Sequence, residues 1–201
     1  MRVIGLVGCM GAGKGEVARI LSEFGAIAVD ADKLAHQAYV SGTNAHREIV
    51  EEFGREVVSR NGEIDRRVLG AKVFNNLVQL RRLEQIVWPH VGIALEKIIM
   101  QANIMSSVPA VAIDAAVLLR AEWDKFCDEV WLVDVPEHEA IRRIMVSRGL
   151  SEQEARSRLF AQSENRPDES LINVVIDNVG GVDDLRKRVG SLWVERIAAK
   201  D

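Results

Sequence analysis

The 201-residue sequence predicts an α/β fold: a doubly wound, parallel, five-stranded sheet carrying a helical insertion and a small lid. Three observations predict it. Five short apolar runs recur along the chain, helical patterns separate most of them, and a glycine-rich turn follows the first run. Runs that are apolar at nearly every residue suit strands covered by helices on both faces, as parallel sheets require.

The first run, residues 3–7, reads as a strand, and residues 16–24 read as a helix because Val17, Ala18, Ile20 and Leu21 share one face. Residues 26–29 give the second strand. Residues 33–107 then break the rhythm, with helical patterns and no convincing strand. Leu34, Ala35 and Ala38 begin this stretch, Ile49, Val50 and Phe53 continue it, and Val68, Leu69, Val73 and Phe74 follow. Residues 77–105 read as one long helix, kinked at Pro89. The expectation is a helical subdomain inserted after the second strand. Residues 108–113, 130–135 and 173–176 supply three more strands, and residues 137–147 and 182–197 the accompanying helices. A second insertion, 147–168, is rich in charge and contains Arg148, Arg156, Arg158 and Arg166. Ser151 and Glu154 have the spacing of a capping box for a short helix there. There is no internal repeat.

The turn after the first strand is Gly8-Cys9-Met10-Gly11-Ala12-Gly13-Lys14. A strand before it and a helix after it are the setting of a P-loop. Glycines let consecutive main-chain N–H groups curl around a phosphate, and the following helix N-terminus adds partial positive charge. Lys14 is placed to reach the outer phosphates of ATP or GTP. The full pattern places Ser or Thr after the lysine as a Mg²⁺ ligand, whereas Gly15 and Glu16 stand here. Metal is then expected to be held through phosphates and water, or by Glu16. The nucleotide-binding set is Gly8, Gly11, Ala12, Gly13, Lys14, Gly15 and Glu16.

Composition narrows the classes. The formal net charge is −4 with no dense basic block, which argues against a nucleic-acid surface. No apolar run reaches membrane-spanning length, and strand-like sequence begins at once, leaving no room for a signal peptide. Cys9 and Cys127 form neither a disulfide framework nor a metal-ligand spacing, so a reducing cytoplasm is expected. His36, His46, His90 and His138 lack metal-ligand spacing as well. Nothing in the sequence specifies an oligomeric state.

Three sets of residues can carry chemistry. Asp30 and Asp32 follow the second strand, at the carboxyl edge where ligands of open α/β sheets sit. Either can serve as a base for an attacking hydroxyl or simply cap the next helix; Asp32 is the expected base. Asp114 ends the third strand, as a Mg²⁺-holding carboxylate does, although a turn-capping aspartate reads the same way. Arg143 and Arg148 can bring guanidinium donors to a triphosphate, or can lie on a solvated helix face.

At this point the chain resembles the dephospho-coenzyme A kinases. Besides the P-loop, the resemblance is carried by Val29-Asp30-Ala31-Asp32-Lys33-Leu34-Ala35, by Asn61-Gly62-Glu63-Ile64-Asp65-Arg66-Arg67-Val68-Leu69, and by Val73-Phe74. Leu83-Glu84-Gln85-Ile86 before Trp88-Pro89, Gly149-Leu150-Ser151-Glu152, Ala161-Gln162 and Val175-Ile176-Asp177-Asn178 complete it. The resemblance implies ATP and Mg²⁺ as cofactors and dephospho-CoA as the acceptor. It implies Asp32 as the base for the ribose 3′-hydroxyl, Arg143 as a lid arginine, and Asn178 near the adenine. On the acceptor side, His36 stands where the family carries Arg, and Trp88 where it carries His. Leu118 falls in the stretch after Asp114 that corresponds to an acceptor-binding segment. Two alternatives stay open: a P-loop kinase for another nucleoside or nucleotide, and a nucleotide-binding homologue without catalysis.

Overall fold

The computed structural model describes residues 1–73, 76–105, 107–163 and 168–198, and of residues 161–163 the main chain only. Phe74 and Arg166 lie outside the described residues. The chain divides into two compact units. One comprises Met1–Asp30 with the described residues from Ile99 onward; the other is Ala31–Ile98.

The first unit is built on five parallel strands, β1 (Arg2–Val7), β2 (Ile27–Asp30), β3 (Ala110–Asp114), β4 (Glu129–Asp134) and β5 (Val174–Asp177). Their order across the sheet is β2-β3-β1-β4-β5. The chain leaves β1 to one side for β2 and β3, and to the other for β4 and β5. The crevice at the carboxyl end of β1 is thus the topological switch point, where α/β sheets bind ligands. The apolar runs did mark strands because they are buried: Ile4, Leu6, Ala110–Ile113 and Trp131 are each at most 1% exposed.

Helix α1 (Lys14–Glu23) packs Val17, Ile20 and Leu21 into the cluster that holds Ile4, Leu6 and Trp131. Leu185 and Val189 join the same cluster. Truncating Leu21 to Ala in such a site costs about 2–5 kcal/mol, from lost burial plus the cavity left behind. The one polar atom of Trp131 is satisfied, since Nε1–H donates to Glu129 Oε2 at 2.8 Å.

The other helices of the chain, in sequence order, are α2 (Ala31–Ala38), α3 (Asn44–Phe53), α4 (Arg66–Val73), α5 (Leu77–Ile104), α6 (Glu137–Arg148), α7 (Glu152–Ser163) and α8 (Val182–Trp193). The expected helix over 182–197 is α8 followed by a π-helical turn, Val194–Ala198. Ser151 and Glu154 form their capping box at the start of α7: Ser151 N–H donates to Glu154 Oε2 (2.9 Å) and Glu154 N–H to Ser151 Oγ (3.3 Å).

The second unit is helical, as the absence of strand patterns predicted. Thr43 Oγ1 caps α3 by accepting from His46 N–H, and Asp65 Oδ1 caps α4 by accepting from Arg67 and Val68 N–H. Between α3 and α4 the chain makes a small antiparallel bridge, Val58 to Ile64, around Asn61-Gly62. The His46 ring fixes this turn through a 2.9 Å contact with the Gly62 carbonyl. Helix α5 runs without interruption through Pro89. Proline removes one main-chain donor from the ladder there. His90, the next residue, ties α5 to α3 through Glu48 at 3.1 Å. Among the described residues, no helix is long and apolar enough to cross a membrane.

Candidate active site

The phosphate loop takes its shape from glycine. Gly8, Gly11 and Gly13 adopt φ values of 148°, 80° and 101°, which side-chain-bearing residues avoid. Space forbids a side chain as well. A β-carbon on Gly8 would stand 2.4 Å from the Val133 carbonyl oxygen, and one on Gly11 would stand 2.7 Å from that of Ala140. Gly13 is the N-cap of α1 and offers no side-chain cap. Among the described residues, no main-chain carbonyl accepts from the N–H groups of Gly13, Lys14 or Gly15. Three adjacent donors at a helix N-terminus make a site for a phosphate, so the loop fits the nucleotide that the sequence implies. Lys14 Nζ meanwhile donates to the carbonyls of Gly8 (2.9 Å) and Cys9 (3.2 Å), which holds the ammonium over the loop.

Two side chains from elsewhere in the unit grip the loop at one atom. Asn178, just past β5, donates Nδ2–H to the Ala12 carbonyl oxygen at 2.7 Å, and it is 5% exposed. Arg143 on α6 donates to the same oxygen at 3.4 Å and to the Asn178 carbonyl at 2.9 Å. Glu139 lies 3.7 Å from the Arg143 guanidinium. Met10 extends the attachment, packing against the small cluster of Ile141, Ile144 and Ala155 that joins α6 to α7. Sequence reasoning placed Arg143 over the triphosphate and Asn178 near the adenine. The structure places both against the loop backbone.

Four of the five strands end in aspartate: Asp30, Asp114, Asp134 and Asp177. Asp30 is in register with Asp114, and Asp134 with Asp177, so each pair projects to one face of the sheet on either side of β1. Asp177 is paired with Arg188 at 3.2 Å. Asp114 Oδ2 is 3.6 Å from where a Gly15 β-carbon would be. Hard carboxylate oxygens suit Mg²⁺, which keeps several waters and uses few protein ligands. Among the described residues, no three His, Cys, Asp or Glu side chains converge as a metal cage. Asp114 is a carboxylate beside the first turn of α1 of the kind that could hold the ion together with phosphate and water ligands. The Glu16 carboxylate accepts two hydrogen bonds from Arg19 (3.1 and 2.5 Å), an exposed pair within α1. That hydrogen bonding holds the Glu16 carboxyl below its usual range. Asp134 is a strand-end carboxylate that the sequence reading does not single out. The apolar run continues in the sequence to Val135, which places Asp134 inside the expected strand; the structure ends β4 one residue earlier.

The remaining expected residues are distributed as follows. Asp32 lies in the first turn of α2, which starts directly after β2. His36 lies in the last turn of α2, with its ring edge-on to Tyr39. Trp88 is half-buried on α5. Leu118 is 1% exposed and covers Gly5, where a β-carbon would meet its methyl at 2.9 Å; these are the contacts of a core side chain. Of the second insertion, Arg156 is paired with Glu137 (3.1 Å) and Glu152 (2.8 Å), and Arg148 lies in the last turn of α6.

The model of the dephospho-CoA kinase family matches residues 2–184, the phosphate loop included. The chain belongs to that family. A dephospho-CoA kinase of Geobacter sulfurreducens is 39% identical over 196 residues, covering 98% of this chain and 99% of the relative. One of Thermobifida fusca is 36% identical, covering 97% and 96%. Among solved structures, TT1252 from Thermus thermophilus superposes with a TM-score of 0.76 at 29% identity, covering 97% of each chain. A shikimate kinase of Acinetobacter baumannii, at 20% identity and a TM-score of 0.54, covers 97% of this chain and 94% of its own and shares the fold. Family membership agrees with the parallel sheet and the loop geometry, and it covers both compact units rather than the nucleotide half alone.

Proposed function

We propose that this protein transfers the γ-phosphoryl group of ATP to the ribose 3′-hydroxyl of dephospho-CoA, giving ADP and coenzyme A. The observation that carries the reading is the cradle of free main-chain donors at Gly13–Gly15, on a chain that belongs to the dephospho-CoA kinase family. In this reading the loop amides hold the phosphates, and Lys14 exchanges its two carbonyl partners for phosphate oxygens. Asp32 accepts the proton of the 3′-hydroxyl as its oxygen attacks the γ-phosphorus. The new O–P bond forms in line with the breaking bond to the β,γ-bridging oxygen, and ADP leaves with that electron pair. When bound, Mg²⁺ neutralises charge developing on the phosphate oxygens; Asp114 is the residue that would hold it. Residues 33–107 take the acceptor and residues 147–168 act as the lid, in the cytoplasm.

A coupled ADP-release assay tests the proposal, run with dephospho-CoA, with a panel of nucleosides and nucleotides, and with no acceptor. Release that depends on dephospho-CoA is expected. A clear preference for another acceptor overturns the substrate, and no transfer to any acceptor overturns the enzyme.

A further inference from the structure

We infer that Asn178 is a positioning residue that sets the phosphate loop, acting through the Ala12–Gly13 peptide rather than by reading the base. The inference rests on the phosphate-site reading above and deepens it. A trans peptide points its C=O and N–H in opposite directions. The Asn178 amide holds the Ala12 oxygen at 2.7 Å, so the Gly13 N–H is turned the other way, into the group of unpaired donors at Gly13, Lys14 and Gly15. Flipping this peptide would bring a carbonyl oxygen to the place where a phosphate oxygen must bind.

Three further observations support the role. Asn178 is the one polar side chain found deeply buried among the described residues, and burial makes its hydrogen bond costly to lose. Its nitrogen fills the space beside Gly13, where a β-carbon would be 2.4 Å away. Its own main chain is held at both ends, N–H to the Asp134 carbonyl (2.8 Å) and C=O by Arg143 (2.9 Å). Arg143 reaches Ala12 as well, so α6 and the end of β5 brace one carbonyl together.

The test compares ATP with inorganic tripolyphosphate, which has no base, by calorimetry on the parent protein and on Asn178→Ala and Asn178→Asp. The aspartate keeps the size of the side chain and replaces the donor with an acceptor facing the Ala12 oxygen. Thermal unfolding without ligand checks that each variant is folded. If Asn178 sets the loop, both ligands weaken by the same factor, about tenfold or more. The KM for dephospho-CoA stays within about twofold while that for ATP rises. Loss of ATP affinity alone, or of neither, overturns the inference, as does a parent protein that binds ATP but no tripolyphosphate. A parent protein that binds neither ligand marks failure of the phosphate site itself, and is seen before any variant is made. The parent also gives a measurement that needs no variant. The side-chain amide resonances of Asn178 should respond alike to ATP and to tripolyphosphate; a response to ATP only overturns the inference.

Discussion

The carboxylate of Asp114 stands 3.6 Å from the point at which Gly15 would carry a β-carbon. That distance is ordinary van der Waals contact, so a β-carbon is accommodated and a hydroxyl on it can turn to hydrogen-bond the carboxylate. Gly15 lies in the first turn of α1, where glycine is less favourable than serine by roughly 0.5 kcal/mol. Gly15→Ser should therefore stabilise the protein slightly and add an oxygen beside Asp114. The expected outcome is a several-fold lower Mg²⁺ concentration for half-maximal nucleotide binding, measured by metal titration with a fluorescent ATP analogue. An unchanged metal requirement argues that Asp114 is not where the ion sits.

Asp32→Asn keeps the shape of the side chain and removes its basicity. Turnover with dephospho-CoA should fall by ~10²–10⁴ while ATP affinity is retained. Single-turnover kinetics beside equilibrium ATP binding make the comparison, and undiminished turnover would remove Asp32 from the mechanism.

Two glycines separate steric from conformational cost. Gly8→Ala drives a methyl toward the Val133 carbonyl at 2.4 Å, in a backbone at φ 148°. Gly149→Ala adds a methyl at φ 64° with nothing within 4 Å. The first should abolish ATP binding and cost several kcal/mol. The second should cost about 1–2 kcal/mol, the usual left-handed penalty, and leave ATP binding intact. Urea unfolding and calorimetry on both variants decide the matter; equal costs would mean that the loop tolerates the added methyl.

Burial pushes the Cys127 thiol up to about 12. A thiol in an unfolded chain ionises near about 8.5. The folded state thus keeps a proton that the unfolded state releases, and the associated stability is whole below the lower value and lost as pH rises through the upper one. The urea midpoint of the parent should fall more steeply between those two values than that of Cys127→Ala. Parallel curves would show that the thiol is not the group responsible.

The strands were legible because burial on both faces leaves a continuous apolar run, as in residues 110–113. The phosphate loop was legible because its glycines are demanded by geometry that no other residue satisfies. The places where Arg143 and Asn178 settle were not legible. Their partner is a main-chain oxygen of Ala12, 131 and 166 residues away, and a backbone carbonyl carries no sequence signal. Glu16 illustrates the converse limit. As a lone carboxylate after the loop it reads as a metal ligand, and the structure adds an exposed pair with Arg19, three residues on, that the loop pattern does not announce. Leu118 reads as acceptor-facing by its place in the chain and settles over Gly5 because that glycine leaves a hollow beneath it.

The aspartates that close the strands on both sides of β1 bear on how nucleotide arrives. Bare ATP is a polyanion, and carboxylates near its site raise the cost of its approach, Asp177 least because Arg188 pairs with it. Its cation-chelated form passes the same carboxylates with half the charge hidden. Raising free magnesium should therefore quicken nucleotide association, an effect on the encounter that is separate from anything the ion does once the phosphates are seated and that stopped-flow mixing reads directly.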